Sequence, residues 1–271
     1  MVEQRFAVVA KASTTGDLAA AFCARMTALT AVRFVPRVVE SYEAIFDDLV
    51  HGRCELAWAP PFVALEAEDR AGVALLAVVK RPFAVGYHSA FFTRADSTLR
   101  SIADLAGATV AWGSPWSASA YVVPRWHLRA KGIDLRRAFG QDLSIARHDA
   151  IGRAVWDRVA DVGACHVGVD PVSGLLASAP WQAVTGALGA MRVLLLVGPI
   201  PADVIAATRF VAPELRRRIV SALLAMKQSD PGLGALFDAT SFEPVPEGHL
   251  ALLRRLARGA TRPGLSAASV V

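Results

Sequence analysis

The sequence predicts an α/β protein of two lobes, each a mostly parallel sheet flanked by helices, linked by two crossover segments. Three observations predict it. Strand-like and helix-like stretches alternate from the N-terminus, the pattern of open, largely parallel sheets. Hydrophobic residues make up 54% of the 271 residues and charged ones 20%, enough apolar material for buried sheets with helices on them and enough length for two ordinary lobes. Extended segments near Phe83 to Thr93 and Met191 to Ile200 then join the βα-rich regions twice over.

Arg5 to Ala10 is β-rich, Thr15-Gly16-Asp17 makes a turn with a cap, and Leu18 to Leu29 is apolar at helical spacing. Val32 to Val39 reads as a strand. Ser41 caps a helix from Tyr42 to His51, in which Ile45, Leu49 and Val50 form the buried stripe, and Gly52 ends it. Glu55 to Trp58 is a short strand stopped by Pro60-Pro61. Ala74 to Val79 and Gly86 to Thr93 are strands, and Leu99 to Leu105 is a short helix closed by Gly107. A strand from Ala108 to Trp112, a loop and a helix from Ala120 to Ala130 follow, with Pro124 near the first turn. Asp149 to Arg158 is a helix, Asp161 to Val169 and Arg192 to Val197 are strands, and Pro213 to Lys227 is an amphipathic helix. Lobe one is expected over 1–88 and 192–260 and lobe two over 89–191, with a small, polar, disordered tail at 261–271.

The net charge of +5 does not amount to a nucleic-acid interface. Its basic residues are scattered, and Arg216-Arg217-Arg218 sits on a helix face open to solvent; no known nucleic-acid-binding pattern organises them. Cys23, Cys54 and Cys165 are far apart and odd in number, which fits small buried hydrophobes rather than disulfides. No metal site, cofactor or catalytic group is expected: Cys165-His166 lacks ligand spacing, and GxSxG, Walker A, GxGxxG and HExxH motifs are absent. The N-terminus carries no export signal and no stretch is long enough to span a membrane. The expectation is therefore a periplasmic or membrane-tethered protein whose leader was removed, or a cytoplasmic one if the sequence is complete.

The informative stretch is Gly113-Ser-Pro-Trp-Ser-Ala-Ser-Ala-Tyr121, a hydroxyl-rich loop between strand and helix. Free N–H groups at a helix start, with serine hydroxyls beside them, make an anion site. A capping role for Ser117 or Ser119 accounts for the same residues.

From Ser101 the text SIADLAGATVAWGSPWSASAYVVPRWHLRAKGI resembles the second-lobe signature of phosphonate- and phosphite-type ABC-transporter substrate-binding proteins, which have the type 2 periplasmic-binding-protein fold. That family's loop reads Gly-x-Pro-x-Ser-Thr-Ser-Gly; here Ala118 replaces the threonine and Ala120 the final glycine. ESYEAIFDDLVHGRCELAWAPPF, GYHSAFFTRADSTLRSIADLAG, ARHDAIGRAVWDRVADVGA and IPADVIA resemble further family segments in the same order, together covering Phe6 to Ala257. The resemblance implies a non-enzymatic protein that binds a phosphonate, phosphite or phosphate ester in an interlobe cleft and serves an ABC permease as a monomer. A cytoplasmic ligand sensor of the same fold is the alternative. By the same matches, Tyr42, Tyr87, Ser117, Ala118, Ser119, His148 and Asp203 contact ligand, Asp203 through an amino group on it. Core aromatics (Tyr42, Tyr87), a helix cap (His148) and a turn residue (Asp203) are the competing roles.

Overall fold

The computed structural model describes residues 3–81 and 87–260. The chain divides into two compact units, Met1–Val85 with Ala202–His249 and Gly86–Pro201 with Leu250–Val271.

The first unit begins β1 (Gln4–Val9), α1 (Thr15–Thr30), β2 (Phe34–Val39), α2 (Tyr42–Val50), β3 (Leu56–Ala59), α3 (Pro61–Ala71) and β4 (Ala74–Lys80). The second comprises β5 (Tyr87–Arg94), β6 (Ala108–Trp112), α4 (Val123–Ala130), α5 (Leu135–Ala138), β7 (Phe139–Ser144), α6 (His148–Trp156), β8 (Val162–Val169), β9 (Leu176–Ser178), α7 (Gln182–Thr185) and β10 (Met191–Ile200). The chain returns to the first unit with β11 (Val204–Ala207), α8 (Pro213–Ala225), α9 (Leu233–Phe237) and β12 (Ser241–Glu243), and ends on α10 (Ala251–Ala260).

In the first unit the six-stranded sheet runs β12-β4-β11-β3-β1-β2. The parallel run read from the sequence holds for β2, β1 and β3. It breaks where β11 inserts antiparallel between β3 and β4, and β12 adds antiparallel to β4. The sheet is therefore mixed. Phe6, Phe22, Phe237 and Phe242 pack in one aromatic cluster, with Phe22 and Phe237 at 5.0 Å and near-perpendicular. Pro60-Pro61 stops β3 as expected, but Pro61 also opens α3, a helix the sequence reading passed over. Proline suits a first helical turn because the N–H it lacks has no partner there anyway. Arg216 and Arg218 of α8 do more than face solvent: they donate to the carbonyls of Val211, Thr208 and Thr30.

In the second unit the order is β10-β5-β8-β6-β7, with β9 on β8. β6 is parallel to β7 and β8, whereas β5 is antiparallel to both β8 and β10. Phe92 and Trp181 fill one face of this sheet at 4.6 Å, and Phe91 and Trp112 stack on the other at 5.4 Å. A Cβ at Gly163 would lie 2.7 Å from Ile151, so the glycine lets α6 lie close on β8. The sequence reading placed 192–260 with the first lobe. Hydrogen bonding of β10 along β5 and packing of α10 on α4 put both with the second unit.

The expected Ala120–Ala130 helix is a wide π turn over Ala118–Val122 that runs on into α4. Residues 99–105 supply only a 3₁₀ turn, Ile102–Leu105, held by a Ser101/Asp104 capping box. All three cysteines are buried, and burial raises their thiols, to about 12 at Cys23 and Cys54. The 82–86 part of the first crossover, including the predicted strand start at Gly86, and the 261–271 tail lie outside the described residues. Among the described residues no helix is long and apolar enough to cross a membrane.

Candidate functional site

The serine loop leaves the C-terminal end of β6, where ligands bind on open α/β sheets. It is folded tightly: the Gly113 N–H donates to the Ala120 carbonyl at 3.0 Å, and a Cβ on Gly113 would lie 2.5 Å from that of Ala120. Ala120 thus fills the space where the family pattern has glycine, and Gly113 makes room for it. The Ser114 carbonyl accepts from the Ser117 N–H at 2.8 Å, and its hydroxyl oxygen from the Trp116 N–H at 3.2 Å.

Ser117 is the N-cap, its Oγ accepting from the Ala120 N–H at 3.2 Å. Capping uses the lone pair and leaves the hydroxyl hydrogen to donate elsewhere, so the two roles weighed for Ser117 are compatible. Ser119 does not cap. Its carbonyl accepts from the Ser89 hydroxyl at 2.7 Å, which fixes the turn to β5. The Ala118 and Ser119 N–H groups and the Ser119 hydroxyl have no hydrogen-bond partner among the described residues. Ser117, Ala118 and Ser119 are all buried.

His148 opens α6, but the capping position belongs to Arg147, whose side chain pairs with Asp149 at 2.7 Å instead. The His148 ring packs edge-on to His166 at 4.6 Å, and its Nδ1 accepts from the His166 N–H at 3.4 Å. Burial pushes the His148 imidazole down to about 4, against a smaller opposing pull from Asp149. The ring is therefore neutral near pH 7, with its hydrogen on Nε2. Tyr87, at the start of β5, meets His166 edge-on at 6.3 Å. Tyr87, His166 and His148 thus form one chain of contacts within the second unit.

The first unit gathers a different set. Tyr42 follows the Ser41 cap and tilts toward the Trp58 indole at 6.1 Å. Burial raises the Tyr42 phenol to about 12, so it stays a hydroxyl donor. The Lys11 ammonium stands over the same indole at 4.5 Å and donates to the Leu236 carbonyl at 3.1 Å. Desolvation lowers the Lys11 pKa; Asp203 and, more weakly, Asp238 oppose this and Arg81 adds to it. Asp203 is buried and its carboxylate pairs with Arg81. It is not a solvent-exposed turn residue, and one of its carboxylate oxygens accepts from Arg81.

Sequence reasoning passed over Lys11, Arg81 and His166. Lys11 and Arg81 each follow the C-terminal end of a strand, β1 and β4, and that position was the available signal. His166 was weighed only as a metal ligand; among the described residues no group of three or more candidate ligands gathers.

Two α/β units, each a six-stranded sheet flanked by helices, with a hydroxyl-lined strand–loop–helix turn in the second, define the type 2 periplasmic-binding-protein class. The sequence pattern of the family described as "ABC transporter, phosphonate, periplasmic substrate-binding protein" matches residues 6–250, and the chain belongs to that family. Solved structures agree on the fold. The binding-protein component of an ABC phosphonate transporter from Pseudomonas aeruginosa is 20% identical, with TM-score 0.74 over 94% of this chain and 85% of that one. A Xanthomonas citri protein bound to ATP is 22% identical, with TM-score 0.75 over 96% and 97%. A Prochlorococcus marinus protein in complex with methylphosphonate is 15% identical, with TM-score 0.71 over 94% and 97%. No curated protein matches the chain.

Proposed function

We propose that this chain binds a small phosphorus oxyanion (a phosphonate, phosphite or phosphate ester) and delivers it unchanged, as a monomer, from the periplasmic side to an ABC permease. Ser117, Ser119, the Ala118 N–H and the His148 Nε2–H hold the oxyanion. Tyr42 and Tyr87 line the site, and Asp203 acts by fixing Arg81.

The observation that carries this reading is the run of donors on the buried residues Ala118 and Ser119 with no acceptor among the described residues. A phosphorus oxyanion brings several acceptor oxygens to such a turn, and each charge-assisted bond is about twice as strong as a neutral one. Family membership supports the transport role and the permease partner. The same family membership supports binding without turnover.

Calorimetric titration with phosphate, phosphite, methylphosphonate and 2-aminoethylphosphonate, set against an alkanesulfonate, tests this. At least one phosphorus ligand is expected to bind at about micromolar Kd, near −8 kcal/mol, and phosphorus NMR should recover it unaltered. Tighter binding of the sulfonate than of every phosphorus ligand overturns the ligand class, and a cleaved product overturns the non-enzymatic reading.

A further inference from the structure

The net charge of +5 is unevenly shared. The first unit carries 14 Lys and Arg against 16 Asp and Glu, the second 15 against 8. Within the second unit the surplus lies on one face of the sheet. α6 and the turn after it, on the Phe92–Trp181 face, balance Arg147, Arg153 and Arg158 with Asp149, Asp157 and Asp161. α4 and α5 cover the other face through Leu128 and Leu135, and α10 lies on α4. Over Val123 to Ala138 and Ala251 to Ala260 these helices and their links hold eight cations and one acid, Asp134. Basic residues scattered in the sequence are thus gathered by helix packing.

Lys131, Arg136, Arg137, Arg255 and Arg258 of this layer are exposed. Asp134 meets Arg137 at 3.8 Å, and Asp142 of β7 meets Arg125 at 3.4 Å. Surface pairs of this kind are weak and leave the excess of one sign in place. The crowding is felt at Arg129, whose pKa is lowered by desolvation and then by the like charges of Arg125 and Arg136. An anionic partner relieves that repulsion. The cations are spread over three helices with a single acid among them, so they answer to a density of negative charge rather than to one shaped group. A bilayer of anionic lipids presents that density evenly, and the half-buried Trp126 among the cations is a residue type suited to headgroup depth. A family that serves membrane transporters works beside such a surface. Leu253 of α10 is fully buried, so the helix is held on the protein and the attraction is electrostatic.

We propose that the α4–α5–α10 face is an interaction surface for an anionic phospholipid bilayer, on which the protein adsorbs through its cations without inserting a segment. The inference does not depend on which ligand the serine turn holds.

The test is co-sedimentation of the full chain with vesicles of mixed phosphatidylglycerol and phosphatidylcholine, and of phosphatidylcholine alone. Wild type should bind the mixed vesicles only, and should be released as NaCl rises from about 0.1 to 1 M and the Debye length shrinks from about 10 to 3 Å. Each cation near such a surface is worth about fivefold in partitioning. Lys131→Gln, Arg137→Gln and Arg255→Gln combined should therefore weaken binding by more than about tenfold. Arg33→Gln, Arg70→Gln and Arg217→Gln combined, three exposed arginines of the first unit, change the net charge equally and should cost less than about twofold. Equal losses in the two triple variants would make the attraction one of net charge and overturn the assignment to this face. Binding to neither kind of vesicle, or equally to both, overturns it without recourse to any variant. Tighter binding of duplex DNA or of poly-glutamate than of the mixed vesicles gives the face to a nucleic acid or an acidic protein segment, and overturns the lipid assignment.

Discussion

The two units present opposite solutions to binding polar groups. The second uses neutral donors: serine hydroxyls, peptide N–H groups at a helix start and an imidazole kept uncharged by burial. The first uses full charges, Lys11 and the Arg81–Asp203 pair, set against the rings of Trp58 and Tyr42. Neutral donors make geometry decisive, because each bond must be aimed and none acts at a distance. Charges make sign decisive, because they accept or repel a group before it is aligned. On the function proposed above, the second unit's neutral donors would measure the shape of an oxyanion, while the first unit's charges would sort approaching groups by sign.

The sharpest way to break this contrast is at the Arg81–Asp203 pair. Arg81→Ala leaves a buried carboxylate without its cation and should destabilise the protein by about 3 kcal/mol, somewhat less if water reaches Asp203. Arg81→Ala with Asp203→Ala should recover most of the loss. Denaturant melts of both variants check this, and equal destabilisation would show that the pair is not an energetic unit.

Ser117→Ala strikes the neutral side. It should weaken oxyanion binding by about 2 kcal/mol through loss of a donor to a charged group, and cost about 1 kcal/mol of stability through loss of the cap. A melting temperature that falls while the Kd holds would leave Ser117 with the cap alone.

The smallest effect is a pH dependence. His148 titrates near 4 folded and near 6.5 unfolded, so between those values the unfolded chain binds the extra proton and stability falls as pH falls. From pH 7 to 5.5 this amounts to at most about 1 kcal/mol. His148→Gln should remove that part of the acid limb, seen as the difference between the two stability–pH curves; superimposable curves would place His148 in solvent.

The contrast between the units also marks what could be read from sequence. The serine loop was legible because its signal is local: Gly113, Ser117, Ser119 and the flanking strand and helix are consecutive. Parallel β1, β2 and β3 were legible for the same reason, since each alternates with a helix. The charged face was not. Lys11, Trp58, Arg81 and Asp203 come from four distant segments that only the sheet order brings together, and their pairing decides their chemistry. Asp203 read alone is an acceptor for an amine; read with Arg81 it is the anchor of a guanidinium. His148 shows the same limit, because its neutrality comes from burial beside His166, 18 residues further along the chain. α3 was missed because Pro60-Pro61 was weighed only as a stop for the strand before it.

The insertion of β11 between β3 and β4 has a consequence for how the chain comes off the ribosome. The second unit's sheet is contiguous in sequence, β5 through β10, so all its strands are at hand once Ile200 has emerged. The first unit's sheet is not. Until Val204–Ala207 has been synthesised, β3 and β4 each present an open row of peptide groups, with more than a hundred residues of the second unit between β4 and the strand that closes them. Open edges of that kind recruit other strands, and contacts between segments so far apart form slowly. The sheet begun first is therefore the sheet completed last, and the interval before β11 arrives is one in which the nascent chain is exposed to aggregation.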